Sequence, residues 1–445
     1  MLFSRKDLIR ILWPLFFEQI LAVTVGLFDT MMVSSVGEAA VSGVALVDAI
    51  NLFINNIFAA LATGGAVVCA QFLGAKDEPT ARNAAGMLYR ILFLISALLT
   101  VATLIFRPGI LSLIYGRIDA DVMENAGIYY LLTALSYPFL ALYHSGAAVF
   151  RSMGNSKVSL NVSLGINAVN VVGNSLLIYL LHLGAAGAAI ATLLSRVFGA
   201  TVLLLLARSR KNPIYIERLL TFRPDMQLTR SIFHIGVPNG LESGMFQFGK
   251  LLTQGVVSAF GTASIAANAV ANTLVSFEYA VGWAVGIAIV AVVGRCVGAK
   301  EPGQAKLYTK KLMGVSCAAM FTMSLLLTLF AKPIIGVFHL SDKAADLALT
   351  VILLHNAFAA TLWSFSFTLP NSFRAASDVR TPMVISTVSM WVFRVGGAYL
   401  FAFGFGLGVL GVWIAMMCDW VFRAALYIFR YKSGKWLKTE AVRSK

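Results

Sequence analysis

The sequence predicts an all-α integral membrane protein: twelve transmembrane helices in two parallel six-helix repeats. Three observations predict it: the composition, apolar runs of bilayer-crossing length, and a second half that repeats the first. Of the 445 residues, 59% are hydrophobic and only 12% charged, against about 25% charged in soluble domains. Runs such as Met87–Phe106, Met313–Phe330 and Met383–Phe403 have the length, ~20 residues, that crosses a hydrocarbon core as a helix. The ~10-residue alternating segments of a membrane barrel do not occur.

Taken in order, the first span, near 9–33, carries Glu18 and Asp29 and has no small-residue cleavage site, so it reads as a retained helix. The second, near 41–72, carries Asp48, Asn51 and Asn55 at one-faced helical spacing. The third and fourth lie near 86–106 and 122–145. The fifth, near 156–181, has a matching stripe of Asn167, Asn170 and Asn174, and the sixth lies near 185–207. Such stripes line water or hydrogen-bond neighbouring helices. Residues 208–227, with Pro213 and Pro224, read as a linker with a short interfacial helix. Six further spans follow near 228–257, 265–294, 312–331, 344–370, 382–403 and 408–429. The expected division is therefore a six-helix lobe over 1–207, the linker, a second lobe over 228–430, and a tail over 431–445.

The formal charge of +15 invites a nucleic-acid partner, but its distribution excludes one. With these spans, 26 Lys and Arg residues fall on the side of both termini and four (Arg107, Arg117, Lys332, Lys343) on the other. This bias places both termini in the cytoplasm of a multi-pass protein of the inner or plasma membrane. Cys69, Cys296, Cys317 and Cys418 are scattered in apolar segments, implying neither a disulfide framework nor a zinc site. The five histidines have no metal-ligand spacing. No Walker loop or nucleophile elbow occurs, so the chain reads as a non-enzyme without an organic cofactor.

The halves correspond at an offset of 224 residues. Pro14 and Glu18 answer Pro238 and Glu242, Gly37 answers Gly261, and Gly74-Ala75-Lys76-Asp77 answers Gly298-Ala299-Lys300-Glu301. Leu183-Gly184 answers Leu407-Gly408 late in each half. An even number of spans per half inserts both halves the same way up, with the substrate path expected at their interface. Pro14 and Pro238, read as one turn inside their helices, are hinge candidates because proline removes a backbone hydrogen bond.

With this pattern the chain resembles the multidrug and toxic compound extrusion (MATE) family. The matching elements are Pro14-x3-Glu18, Asp29-Thr30 followed by Val36-Gly37, Gln71-Phe72-Leu73-Gly74-Ala75, Phe150-Arg151-Ser152-Met153-Gly154-Asn155, and its counterpart Phe373-Arg374-Ala375-Ala376-Ser377-Asp378. The resemblance implies two lobes forming a V, functional as a monomer. It also implies export of organic cations or amphipathic small molecules coupled to inward H⁺ or Na⁺. It maps the family's ion-coupling acid onto Asp29, with Asn170, Asn174 and Thr192 completing the site. Some members carry an acid where this chain has Asn174, and an acid in the tenth span where this chain has only His355 and Asn356.

A carboxylate among amide and hydroxyl oxygens suits Na⁺, and a lone desolvated carboxylate equally suits a proton. Glu18, about three turns from Asp29 on the same face, joins the ion-coupling candidates and reads equally as a structural acid. Asp48, Glu242 and Glu278 are the candidates for the substrate cavity, with Lys250 able to neutralise Glu242. Asp419, Arg423 and Arg394 read as an ion-paired brace, and Arg374 and Asp378 as a brace of a cytoplasmic loop, with Asp378 capping the following helix. The expected function is a cation-coupled antiporter; the alternative is a flippase or exporter of lipid-linked or metabolite cargo.

Overall fold

The structure, a computed structural model, describes residues 2–116, 119–216 and 225–437. Arg117, the linker residues Arg218, Arg223 and Pro224, the tail residues Lys438, Arg443 and Lys445, and most of the expected interfacial helix lie outside them. Among the described residues there are twelve long helices and no strand.

In the first half these are α1 (Arg5–Ser34), α2 (Glu38–Gly74), α3 (Glu78–Tyr115), α4 (Ala120–Leu135 and Tyr137–Ser152, bent by 46° between them), α5 (Ser156–Leu180) and α6 (Gly184–Ala207). In the second they are α7 (Met226–Ser258), α8 (Thr262–Gly298), α9 (Pro302–Gly336), α10 (Asp342–Ala375), α11 (Arg380–Gly404) and α12 (Gly408–Lys432). Ten are each long and apolar enough to cross a membrane, and the bent α4 makes eleven. The twelfth, α7, spans 33 residues but carries Glu242, Gln247, Lys250 and Gln254, which lower its hydropathy.

The helices outrun the apolar runs because polar ends are capped. Asp77 accepts from the Thr80 amide at 3.1 Å to start α3, and Asp225 accepts from the Gln227 and Leu228 amides at 3.0 Å to start α7. Since α1 and α7 begin at Arg5 and Met226, Pro14 and Pro238 are interior to continuous helices, deeper than their expected place one turn in.

The repeat extends to backbone detail. Lys76 and Lys300 both hold left-handed φ (60° and 57°), as do Gly184 and Gly408 (both 56°). A π-helical turn ends α5 at Ser175–Leu180 and recurs in α11 at Leu400–Gly404. A Cβ at Gly187 would stand 3.0 Å from the Leu177 carbonyl, and one at Gly411 2.6 Å from the Ala402 nitrogen. In each half, then, a glycine lets the last helix cross the preceding one backbone to backbone. In the repeat-related α2 and α8, 72% and 78% of the most apolar 18-residue stretch is buried, whereas Leu98, Leu113 and Leu329 stand exposed, as lipid-facing side chains must.

Two compact units result: Lys6–Gly240, and Leu241–Lys445 together with the first residues through Arg5. The boundary falls inside α7. In the first unit a Cβ at Gly64 would lie 2.7 Å from the Ile232 carbonyl, so the start of α7 rests directly on α2. The described part of the linker folds back likewise: Arg82 donates to the Pro213 carbonyl (2.9 Å) and stacks on Tyr215 (4.2 Å). In the second unit Tyr308 donates to the Phe3 carbonyl at 2.7 Å.

Candidate functional site

Asp29 meets the asparagine stripe of α5. Residues 167, 170 and 174 share one helix face by their spacing, and that face turns toward α1 and α6. Asn174 Nδ2 donates to Asp29 Oδ1 at 2.9 Å. Turned so that its nitrogen faces the carboxylate, Asn170 donates to Asp29 Oδ1 at 2.6 Å and Oδ2 at 3.3 Å. The other amide atom of Asn170 then lies 3.4 Å from Thr192 Oγ1. Asn174 Oδ1 is buried with no hydrogen-bond partner.

Asp29, Asn170 and Thr192 face a cavity of about 230 Å³ whose walls also include Tyr143, Asn167 and Arg196. One carboxylate, two amides and a hydroxyl from three helices thus surround one space. The residue types suit a small hard cation or an exchangeable proton.

Glu18 belongs elsewhere. It is 4% exposed, ion-paired to Arg151, and accepts from the Ser159 hydroxyl at 2.9 Å on both oxygens. Glu242 repeats this: Arg374 donates to it at 2.6 Å and Ser386 at 2.6 Å. The partner of Glu242 is therefore Arg374, where Lys250 was the expected candidate. A buried carboxylate needs a charge and hydrogen bonds; the Phe-Arg motif of each half supplies the charge, and Ser159 or Ser386 a further hydrogen bond. In the sequence Arg151 and Arg374 stand out as motif residues but not as the partners of these glutamates; their similar spacing, 133 and 132 residues, is the available signal.

Asp48 accepts from Tyr129 (3.1 Å) and Asn51 (3.4 Å). Tyr137 donates to Asn51 (2.9 Å), and His144 shares a hydrogen bond with Asn55 (2.9 Å). The stripe of α2 is accordingly bonded to α4. Glu278, 1% exposed, accepts from Ser324 and lies 3.4 Å from His355 Nδ1. His355 in turn bonds Tyr279 (2.8 Å) amid Trp413 and Trp420.

Asp419 pairs with Arg423 at 2.7 Å and with Arg394 at 3.5 Å, the expected brace. Asp378 braces as well, to Arg430 at 2.9 Å, and α11 begins without its side chain as a cap. Among the described residues no cluster of His, Cys, Asp and Glu could hold a metal.

The site is not duplicated. At the 224-residue offset Asp29, Asn170, Asn174 and Thr192 fall on Thr253, Arg394, Ala398 and Met416. The second half places a fixed guanidinium where the first has an amide beside a carboxylate.

The MatE family model matches residues 14–176 and again 238–400, two copies at the same offset as the internal repeat. The "Uncharacterized transporter YisQ" of Bacillus subtilis is 26% identical over 97% of this chain and 95% of its own length. The "Probable multidrug resistance protein NorM" of Thermotoga maritima is 24% identical, over 98% and 93%. Among solved structures, one described as the "Outward-facing conformation of a multidrug resistance MATE family transporter of the MOP superfamily" superposes with a TM-score of 0.90 at 20% identity, covering 98% of this chain and 97% of that one.

Proposed function

Because the chain belongs to the MATE family of membrane transporters, we propose that it is a secondary active antiporter exporting organic cations or amphipathic drugs in exchange for H⁺ or Na⁺. The observation that carries the coupling is the convergence of Asp29, Asn170 and Thr192 on one cavity, with Asn174 hydrogen-bonded to Asp29. That relatives are named multidrug resistance proteins supports the drug-like cargo.

Asp29 is the exchangeable site. With their nitrogens toward it, the two amides stabilise its ionised form; rotated about their last bond, they offer two carbonyl oxygens to a cation seated on the carboxylate. The cation enters from outside, neutralises Asp29 and favours the lobe arrangement that releases substrate. It leaves on the cytoplasmic side, and the excess of basic residues on the side of both termini supports reading that side as cytoplasmic. An ion drives this cycle only through different affinities for the two lobe arrangements.

A phosphate-bearing lipid cargo is not favoured, since Arg151, Arg374 and Arg423 are each committed to a carboxylate. The test is efflux of a fluorescent cationic dye from proteoliposomes, with Na⁺ and pH gradients imposed separately. One gradient should drive efflux in the parent and fail to do so in Asp29→Asn. Equal transport by the variant under every gradient would remove Asp29 from the coupling.

A further inference from the structure

The cavity beside Asp29 has a second charged side chain in its wall, Arg196. Arg196 lies one helical turn beyond Thr192 on α6, so both present to the same face. Its Nη1 donates to Ser136 Oγ at 2.6 Å, at the bend of α4. Its Nε and Nη2 donate to no group among the described residues and are not enclosed. No carboxylate stands within ion-pairing distance of Arg196 among those residues. Glu18 is taken by Arg151, and Asp48 accepts from Tyr129 and Asn51. A cation within a span is costly without a partner, and one neutral hydroxyl does not balance a guanidinium.

With Nη1 engaged on Ser136, the open edge of the guanidinium is the one formed by Nε and Nη2. Two parallel donors of this kind match the two oxygens of a carboxylate. Asp29 supplies the opposite charge in the same cavity wall. Resting on the exchangeable role of Asp29 proposed above, we infer that the cavity takes a small zwitterion, its carboxylate on the open edge of Arg196 and its ammonium on Asp29. A bare organic cation would leave Arg196 uncompensated, and a bare anion would leave Asp29 so. Size agrees with this cargo. Pockets that enclose drug-sized ligands run to ~300–1,000 Å³, and this one, at about 230 Å³, suits a molecule the size of an amino acid. The coupling cation then competes with the ammonium for Asp29, while Arg196 recognises the carboxylate. The cargo class proposed above narrows to cations that also carry a carboxylate.

The test is calorimetric binding to the purified protein at neutral pH, with leucine, leucinol and N-acetyl-leucine as probes. They share one side chain and carry both charges, the cation alone and the anion alone. The corresponding sets built on glycine and phenylalanine bracket the size. At least one zwitterion should bind the parent about tenfold or more tightly than either of its single-charge derivatives, the worth of one charged hydrogen-bonded contact. Arg196→Gln should bring the zwitterion down to the affinity of the amino alcohol and leave the amino alcohol unchanged. Asp29→Asn should bring it down to that of the N-acetyl derivative. Arg196→Lys, which keeps the charge without the fork, should recover only part of the loss. The inference falls if no zwitterion binds the parent better than its derivatives, a comparison that needs no variant to fold. It falls equally if Arg196→Gln weakens zwitterion and amino alcohol alike. Binding does not depend on transport. A parent that binds the zwitterion but moves no cargo under either gradient overturns the antiport; one that exports the dye and binds no zwitterion overturns this inference alone.

Discussion

Arg151 is ion-paired with Glu18 across most of the first half of the chain, and Arg374 stands to Glu242 in the same relation in the second. Each pair ties the first helix of its half to the Phe-Arg motif, and a serine hydroxyl completes each carboxylate. The pairs are structural clamps written twice, and they account for the glutamates without assigning either to an ion or a substrate.

Removing one partner of a buried pair leaves an uncompensated charge and costs ~3–5 kcal/mol. Glu18→Gln and Glu242→Gln should each lower the thermal unfolding midpoint of the detergent-purified protein substantially. Glu18→Gln combined with Arg151→Met should recover part of the loss. A midpoint unchanged in the single variants would show that the clamps carry no stability.

If Asp29 is the exchangeable site proposed above, Asn174 should report which cation it takes. Its amide donates to the carboxylate, and such a bond to a charged group is worth ~1.5–3 kcal/mol, or about tenfold and more in an equilibrium. In Asn174→Ala a coupled proton binds more tightly, because the ionised form has lost its donor. A coupled Na⁺ binds more weakly, because a carbonyl ligand is gone. The half-saturating ion concentration for dye efflux should thus fall for H⁺ or rise for Na⁺. No movement either way would separate Asn174 from the site.

The helix crossing at Gly411 tolerates no side chain. A methyl there meets backbone of Phe401 and Ala402 at 2.6 Å, atoms that cannot rotate away, so Gly411→Ala should destabilise by ~1–3 kcal/mol. Gly303, in α9 with nothing within 4 Å of its added methyl, should accept alanine with a gain of ~0.5–1 kcal/mol. Thermal unfolding of the two variants gives opposite signs if the crossing is as tight as described.

His355 holds the polar cluster inside the aromatic core of the second half. In His355→Phe, Tyr279 and Asn356 each lose a buried hydrogen-bond partner, at a cost of ~1–3 kcal/mol each for groups left unsatisfied. The variant should unfold at a lower temperature, and Glu278→Gln, which still accepts from Ser324, should unfold closer to the parent. The reverse order would place the stabilising role on the charge of Glu278.

The lipid-borne architecture was legible from residues alone, because bilayer length and charge asymmetry act on each segment separately, and because the 224-residue repeat fixes one half by the other. Asp29, Asn170, Asn174 and Thr192 were legible as a set once the family resemblance aligned them, and the amide stripe of α5 shows in its spacing. Pairing was not legible. Glu18 and Asp29 share a helix and a face, yet one belongs to Arg151 and the other to Asn174, because partners come from helices more than a hundred residues away. Glu242 likewise met Arg374 and not the nearer Lys250. Periodicity determines which face of a helix turns inward; which charge it finds there is decided by three-dimensional packing, since a buried charge is stable only where another element brings its partner within reach.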